Sequence, residues 1–233
     1  MAIRIGLLDS GVAPELCERV KTARCFVNPS VNPSVNPRIE PIEAGALQDH
    51  INHATPLSRI LRQQAPEAEL VIAKVFDQKP VTTAAIVARA LDWLAAQGVE
   101  IITMSFGLRE DRPVLRQACE QALARGCVLL GAAPAQGAPV YPSAYPGVVR
   151  VTGDARCGPG VYSHLDSPQA DIGACAYWRK GDQEQRQIGG ASFAVPYVAG
   201  RMARLLSEGG HREELLQQFV ALPECRFQGP EVR

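Results

Sequence analysis

The 233-residue sequence has no excess of either charge, no long apolar run and no paired-cysteine motif. Lysine plus arginine and aspartate plus glutamate both number 24, so we expect neither nucleic acid nor an anionic membrane surface as a partner. No stretch approaches the roughly 18 apolar residues that a membrane-spanning helix needs. The amino-terminal segment MAIRIGLLDSGV also lacks the features of an export signal, and we expect no prodomain before it.

The cysteine usage is typical of a reducing compartment. The seven cysteines are an odd number without a C-x-x-C pair: 17, 25, 119, 127, 157, 175 and 225. In the absence of an export signal, free thiols are favoured over a disulfide framework. We therefore predict a cytoplasmic location, and we expect neither a metal nor a cofactor.

Apolar strands alternate with amphipathic helices along most of the chain. Strands are predicted over 3–8, 70–76, 99–104, 127–133 and 148–152, and helices over 54–64, from Thr82 or Thr83 to 97, from Pro113 to 125 and over 192–207. This alternation predicts one α/β domain over 1–233 with a mostly parallel, doubly wound sheet. In such sheets, functional groups collect at the carboxyl ends of the strands and the amino ends of the helices.

Two segments depart from this alternation. Residues 28–37 read NPSVNPSVNP, and because Asn-Pro disfavours both helix and central strand, we predict a surface loop there. Residues 223–233 read PECRFQGPEVR, a polar segment flanked by proline, which we interpret as a carboxy-terminal surface arm.

Three short motifs place an aspartate, a histidine and a serine at those functional ends. Asp9 closes the first strand in LLDSGV, His53 precedes a helix in NHAT, and Ser192 begins the last helix in GGASFAVPYVAG. Taken singly, each residue is more often a turn former, a solvated side chain or a helix cap. Together they supply a nucleophile, a base and a carboxylate to orient the base, which is the composition of a catalytic triad. His50 is an alternative base.

The motifs resemble those of the subtilisin-like (S8) serine peptidases. DSG matches the aspartate signature, HAT resembles H-G-T with Ala54 in place of glycine, and GASFAVPYVAG is similar to G-T-S-[MF]-A-x-P-x-V-A-G, departing at Ala191. ITMSFG resembles the substrate-lining strand, and YPSAYPGVVRVTG resembles the segment after the oxyanion strand. The chain order Asp, His, Ser is also that of subtilisin. The resemblance, which runs from residue 3 to about 206, implies a three-layer α/β/α fold and serine endopeptidase activity.

The resemblance implies a role for each matching position. Ser192 would be the nucleophile, His53 the general base and Asp9 the group that orients the imidazole. The backbone N–H of Ser192 would be one oxyanion donor. The remaining positions would bind the substrate as an extended strand (Ser105, Phe106, Gly107) or line the first specificity pocket (Ala132, Ala133, Pro134).

The second oxyanion donor departs from the family pattern. The family carries an asparagine in A-A-G-N-x-G, whereas this chain reads AAPAQG and places Ala135 at the asparagine. A shift of one residue would bring Gln136 into that role. Losing such a donor costs about 10²–10³ in turnover, or about 2.7–4 kcal/mol, which predicts a slow or selective peptidase rather than an inactive one.

The expected substrate is a peptide or protein precursor. The small size and cysteine usage resemble the compact intracellular subtilases that remove leader peptides. One of these matures the cross-linked small subunit of quinohemoprotein amine dehydrogenase, which would make such a subunit and its maturation enzymes partners.

Two other readings of the sequence stay open. A pseudoprotease that binds a peptide or partner without cutting it would explain the missing asparagine. A nucleotide-binding doubly wound domain is disfavoured, because GLLDSGV lacks the G-x-G-x-x-G phosphate loop.

Overall fold

A nine-stranded sheet forms the centre of the computed structural model, which describes residues 2–27, 47–179 and 186–230. The strands are β1 (Arg4–Asp9), β2 (Val20–Cys25), β3 (Glu69–Lys74), β4 (Ile101–Met104), β5 (Val128–Ala132), β6 (Val148–Gly153), β7 (Tyr162–His164), β8 (Ile172–Ala174), β9 (Tyr177–Arg179), β10 (Arg186–Ile188) and β11 (Cys225–Gln228). The helices are α1 (Ala54–Gln64), α2 (Ala84–Ala96), α3 (Pro113–Ala124), α4 (Ala191–Ser207) and α5 (Leu215–Val220), with 3₁₀ turns over Pro14–Arg19 and Arg212–Glu214. The loop predicted over 28–37 lies outside the described residues.

The sheet is mostly parallel, as the alternation of strands and helices predicts. Across the described sheet the order is β11-β7-β8-β6-β5-β4-β1-β3-β2, and β9 and β10 pair separately. In this spatial order, neighbouring strands run parallel from β2 through β3, β1, β4, β5 and β6 to β8. At the other end of the sheet, β7 is antiparallel to β8, and β11 is parallel to β7. The first strand therefore lies in the interior of the sheet, between β3 and β4, where its carboxyl end is surrounded by neighbouring strands.

Helices cover both faces of the sheet and divide the core into two layers. On one face α1 and α4 pack against each other over the apolar side chains of one large buried cluster, and on the other face α2 and α3 cover a second. Gly200 of α4 sits directly against Gln64 of α1, where any Cβ would overlap the Gln64 side chain. This close approach joins the two helices whose amino ends carry His53 and Ser192.

The helix ends follow the local sequence signals. The Thr83 side chain caps α2 by accepting the Ile86 N–H at 3.3 Å, and Gly98 beyond the helix adopts a left-handed φ of 69°. Pro113 opens α3, where its missing N–H costs no helical hydrogen bond. These signals confirm the predicted positions of both helices.

The interpretation of 223–233 as a surface arm is wrong for residues 225–228. These residues form β11, the edge strand beside β7, and Cys225 and Phe227 are half-buried while Arg226 and Gln228 are exposed. The backbone N–H of Tyr162 donates to Glu224 at 2.9 Å and extends the pairing. Strand pairing is made by the backbone, so a polar segment with one half-buried face can form an edge strand.

Two absences hold for the described part of the chain. None of its helices is both long and apolar enough to cross a lipid bilayer. No group of three or more His, Cys, Asp or Glu side chains among these residues is arranged to hold a metal ion.

Candidate active site

Asp9 is the last residue of β1, and its carboxylate is fully buried at the carboxyl edge of the sheet. Its Oδ1 accepts the backbone N–H of Ser10 at 2.7 Å, and its Oδ1 and Oδ2 lie 2.8 and 3.0 Å from Nδ1 of His53. The chain then turns at Gly11, whose φ of +118° and contact with the Leu47 carbonyl leave no room for a side chain. The D-S-G sequence thus places a buried carboxylate against an imidazole.

His53 occupies the N-cap position of α1, with its side chain 31% exposed. Burial alone would lower the pKa of the imidazole, but the hydrogen bond with Asp9 and the negative charges of Asp9 and Asp49 outweigh it, so the pKa of His53 is raised above its ordinary 6.5. Because Nδ1 faces Asp9, the other ring nitrogen, Nε2, is left to exchange a proton with a reacting group.

Asp49 is a second carboxylate of the site, and the sequence analysis did not identify it. It accepts the backbone N–H of Thr55 at 2.8 Å, the Thr55 hydroxyl at 2.7 Å and the His53 N–H at 3.3 Å, so it caps the first turn of α1 from the preceding loop. The Ser10 hydroxyl also donates to it at 2.7 Å and accepts the Ala54 N–H at 3.1 Å. Asp49 and Ser10 thereby fix the start of the helix that carries His53.

The alternative base, His50, lies against a different carboxylate. Its Nδ1 is 2.8 Å from Oδ1 of Asp77, and the same oxygen accepts the ammonium of Lys74 at 2.9 Å. Lys74 is only 1% exposed and also donates to the backbone carbonyl of Gln48 at 2.8 Å. A buried ammonium needs such partners, and here they tie the loop before His53 to the end of β3.

Ser192 is the second residue of α4, and the helix begins directly after Gly190, whose φ is 56°. Its hydroxyl donates to the carbonyl of Ser105 at 2.9 Å, and the Ser105 hydroxyl donates back to the Ser192 carbonyl at 3.0 Å. The backbone N–H of Ser192 donates to no described residue and lies at the amino end of a 17-residue helix. That position suits a negative charge, because the N–H groups and the helix dipole point the same way.

The structure brings Ser192 and His53 to one edge of the sheet without a hydrogen bond between them in the described part of the chain. Ser105, which holds the Ser192 hydroxyl, directly follows β4, and Asp9, which holds His53, ends β1. These two strands are direct neighbours, with Leu8 opposite Met104, and neighbouring strands lie about 4.8 Å apart. The two halves of the predicted triad therefore sit side by side.

The predicted substrate-binding residues lie on the two sides of a gap between β4 and β5. Pairing of these strands ends at Met104 and Gly131. On one side, the backbone groups of Phe106 and Gly107 make no hydrogen bond to any described residue, so this edge is open to an added strand. The other side is the end of β5 and the two residues that follow it: Ala132, Ala133 and Pro134.

The second oxyanion donor remains a prediction. Ala135 and Gln136 both lie exposed in the loop after β5. No hydrogen bond joins the Gln136 amide to Ser192, His53 or another of the residues that the structure describes.

Known proteins resemble this chain in sequence and in fold. The family model described as the subtilase family (Peptidase S8) matches residues 2–218. Thermitase of Thermoactinomyces vulgaris is 27% identical over 215 residues, which cover 88% of this chain and 75% of thermitase. The crystal structure of the epidermin leader peptide processing serine protease from Staphylococcus aureus has a TM-score of 0.71 at 16% identity, covering 94% of this chain and 69% of that one. The nisin leader peptidase NisP from Lactococcus lactis has a TM-score of 0.69 at 18% identity, covering 97% and 85%. These structural likenesses confirm the predicted three-layer α/β/α fold.

Proposed function

The chain belongs to the subtilase family of serine peptidases, and from this premise we propose that Asp9, His53 and Ser192 are its catalytic triad. One observation carries the proposal: Nδ1 of His53 lies 2.8 and 3.0 Å from the two oxygens of the buried Asp9 carboxylate. A carboxylate in that position holds the imidazole in the tautomer whose Nε2 can accept a proton.

Peptide-bond hydrolysis follows from this arrangement in two steps. The Ser192 hydroxyl turns from the Ser105 carbonyl towards His53, gives its proton to Nε2 and attacks the substrate carbonyl. The negative charge that develops on the carbonyl oxygen is stabilised by the backbone N–H of Ser192, which donates to none of the described residues. His53 then protonates the leaving amine as the C–N bond breaks, which leaves the acyl group esterified to Ser192. In the second step, His53 takes a proton from water as the water oxygen attacks the acyl carbonyl, and it returns that proton to the Ser192 oxygen as the ester bond breaks and the acid product leaves.

The substrate of this site is proposed to be a peptide or protein precursor bound as an extended strand along Phe106 and Gly107. The open backbone edge there supports this mode of binding. Removal of a leader segment fits a peptidase slowed by an alanine at position 135, because one selective cut needs less turnover than general digestion. The names of the two structural relatives, from Staphylococcus aureus and Lactococcus lactis, also describe processing of leader peptides.

A fluorophosphonate probe tests the triad, because it labels only an activated serine. We expect wild type to be labelled and Ser192→Ala to be unlabelled. Ser207→Ala, which removes an exposed serine at the end of the same helix, is the matched control and should be labelled like wild type. Labelling of Ser192→Ala would show that another residue is the nucleophile.

A binding module without activity is the second candidate, and two observations favour it. Position 135 lacks an amide donor, and the Ser192 hydroxyl donates to the Ser105 carbonyl, with no hydrogen bond to His53 in the part of the chain that the structure describes. This candidate predicts that neither wild type nor Ser192→Ala is labelled, while both bind the same peptides.

Selective processing and a cytoplasmic location are proposed together. Digestion of a proteome-derived peptide library should give cleavage at a narrow set of sequences, whereas broad cleavage would contradict the processing role. The location is supported by the seven cysteines, among which the described part of the chain shows no disulfide bond, and cell fractionation should recover the protein in the cytoplasm. A cross-linked small subunit and its maturation enzymes are the proposed partners, and co-purification with such a subunit tests this.

A further inference from the structure

A cavity of about 290 Å³ lies between α1, the 3₁₀ turn over Pro14–Arg19 and β9. The described residues that line it include two arginines and no acidic side chain: Leu16, Arg59, Arg62, Gln63, Pro66 and Trp178. None of these lining residues belongs to the proposed triad or to the proposed substrate-binding residues. The cavity is therefore separate from the candidate active site, and its lining is positively charged.

Arg59 is held in place on two sides of the cavity. Its guanidinium carbon lies over the indole ring of Trp178, 5.4 Å from the ring centroid, and its Nη2 donates to Glu15 at 2.6 Å. A guanidinium carries five N–H donors in a planar fork, and the hydrogen bond to Glu15 uses one of them. The other N–H groups of Arg59 are therefore held in position for a further acceptor.

Arg62 follows Arg59 by three positions on α1, and side chains at this spacing are neighbours on one face of a helix. The Arg62 side chain is half-buried, and its guanidinium makes no hydrogen bond or ion pair with any residue that the structure describes. Two like charges at this spacing repel each other. An anion between the two guanidinium groups would remove this repulsion and supply the acceptor that Arg62 lacks.

Trp178 adds a third donor beside the cavity. Its side chain is only 7% exposed, and its indole N–H is buried without a hydrogen-bond partner in the described part of the chain. Buried polar groups are nearly always paired, so an unpaired donor that borders a cavity indicates a place for an acceptor. Leu16 and Pro66 contribute apolar surface to the same cavity. This combination suits an anionic group that is carried on an apolar one.

We propose that this cavity binds a carboxylate group of a peptide, with Arg59 and Arg62 as the residues that contact it. The two oxygens of a carboxylate match the paired N–H groups of a guanidinium. In a peptide, the carboxylate belongs either to the chain terminus or to an Asp or Glu side chain. The inference goes beyond the proposed function and does not depend on it.

A ligand in this cavity would join two elements that support the candidate active site. The two arginines lie on α1, which begins directly after His53. Trp178 lies in β9, which pairs with β10, and β10 ends shortly before α4, the helix that carries Ser192. Because the ligand contacts the folded arrangement of α1 and β9, it should also raise the unfolding temperature.

The fluorescence of Trp178 tests the inference, because Trp93→Phe leaves Trp178 as the one tryptophan in the sequence. The probes are N-acetyl-leucine, which carries a carboxylate, and the neutral N-acetyl-leucinamide. We expect N-acetyl-leucine to change the emission of Trp178 in a saturable manner. The amide should bind about 10-fold more weakly or worse, because it cannot form charge-assisted hydrogen bonds with the arginines.

Three variants locate the binding. Arg62→Gln should weaken the binding of N-acetyl-leucine by about 10-fold or more and lose the rise in unfolding temperature that this acid gives to wild type. Arg89→Gln, at an exposed arginine on α2, is the matched control and should bind like wild type. Ser192→Ala should also bind like wild type. Protein that binds the acid but is not labelled by the fluorophosphonate would refute the peptidase and leave this site standing.

N-acetyl-glutamic acid α-amide, whose carboxylate is on the side chain, distinguishes the two sources. Tighter binding of N-acetyl-leucine assigns the site to a chain terminus, tighter binding of the glutamate derivative assigns it to an acidic side chain, and equal binding assigns it to both; each result supports the inference. Equal binding of N-acetyl-leucine and its amide, no saturable change with either acid, or wild-type binding by Arg62→Gln would overturn it.

Discussion

The hydroxyl of Ser192 donates to the carbonyl of Ser105 at 2.9 Å, and the Ser105 hydroxyl donates to the carbonyl of Ser192 at 3.0 Å. This reciprocal pair joins the first turn of α4 to the residue that follows β4. These two hydrogen bonds therefore hold the proposed nucleophile next to the segment that is proposed to bind the substrate. Rotation about the Cα–Cβ bond of Ser192 moves its hydroxyl among three staggered positions, so the hydroxyl can leave the Ser105 carbonyl without a change in the backbone. Catalytic hydrogen bonds often tighten only when substrate is bound.

Asp9→Asn should leave the fold in place and lower turnover by about 10⁴-fold, because the amide can hold the imidazole in the wrong tautomer. The measurement is kcat on a peptide cleaved by wild type, with circular dichroism as a check on folding. Asp166→Asn is the matched control at an exposed position whose φ of 44° asparagine tolerates. A loss below about 10-fold for Asp9→Asn would exclude Asp9 as the orienting group.

The pH dependence should follow the protonation of His53. The imidazole acts as a base only when neutral, and its pKa is raised above 6.5 because Asp9 and Asp49 together outweigh the effect of burial. Activity is therefore expected to rise with pH through a limb above pH 6.5. For stability the sign is opposite: the charged imidazole stabilises the fold at low pH, and this contribution is lost as pH rises through the raised pKa.

Asp49→Asn should move this limb to lower pH, because one of the negative charges that raise the pKa of His53 is removed. Thr55→Val is the matched control, since it removes a hydroxyl that donates to Asp49 at 2.7 Å but keeps the carboxylate. The rise of kcat/KM with pH in Thr55→Val should therefore occur at the same pH as in wild type. The pH profile of kcat/KM distinguishes these outcomes, and an unmoved limb in Asp49→Asn would mean that Asp49 acts only as a helix cap.

The proposed catalytic residues could be predicted from the sequence more readily than the residues that hold them in place. Asp9, His53 and Ser192 stand in motifs whose residue types and chain order indicate a triad, and α1 begins and ends where its periodicity predicts. Asp49 was missed because its role depends on how the loop before α1 folds back, although a carboxylate five residues before the first residue of a helix was a usable signal. Lys74 was missed because a lysine within an apolar strand gives no sign of a buried partner.

Strands at the sheet edges were also hard to predict. The segment VKTARC forms β2, and CRFQ forms β11, yet neither contains the apolar run that identifies the interior strands. Edge strands expose one side and are held by backbone pairing, so their sequences carry little hydrophobic signal.

The oxyanion site can be tested by removing and restoring an amide. If Gln136 donates to the developing oxyanion, Gln136→Ala should slow acylation by about 10-fold or more with little change in KM. Adding Ala135→Asn to that variant should recover the rate, because asparagine then stands where the family carries it. An unchanged rate in Gln136→Ala would leave the backbone N–H of Ser192 as the donor supported by the described residues.

Gly200→Ala tests whether the spacing of α1 and α4 is set by their contact. In an exposed helix this change stabilises by about 1 kcal/mol, but here the new methyl group overlaps the side chain of Gln64, whose Cα would lie only 3.5 Å away. Overpacking of this kind costs about 1–3 kcal/mol, so we expect a lower urea midpoint for unfolding. Gln117→Ala on the exposed side of α3 should change it little. Because α1 and α4 carry His53 and Ser192 at their amino ends, moving the two helices apart should also reduce kcat. A Gly200→Ala variant that is more stable than wild type and fully active would show that contacts with the sheet alone position the two helices.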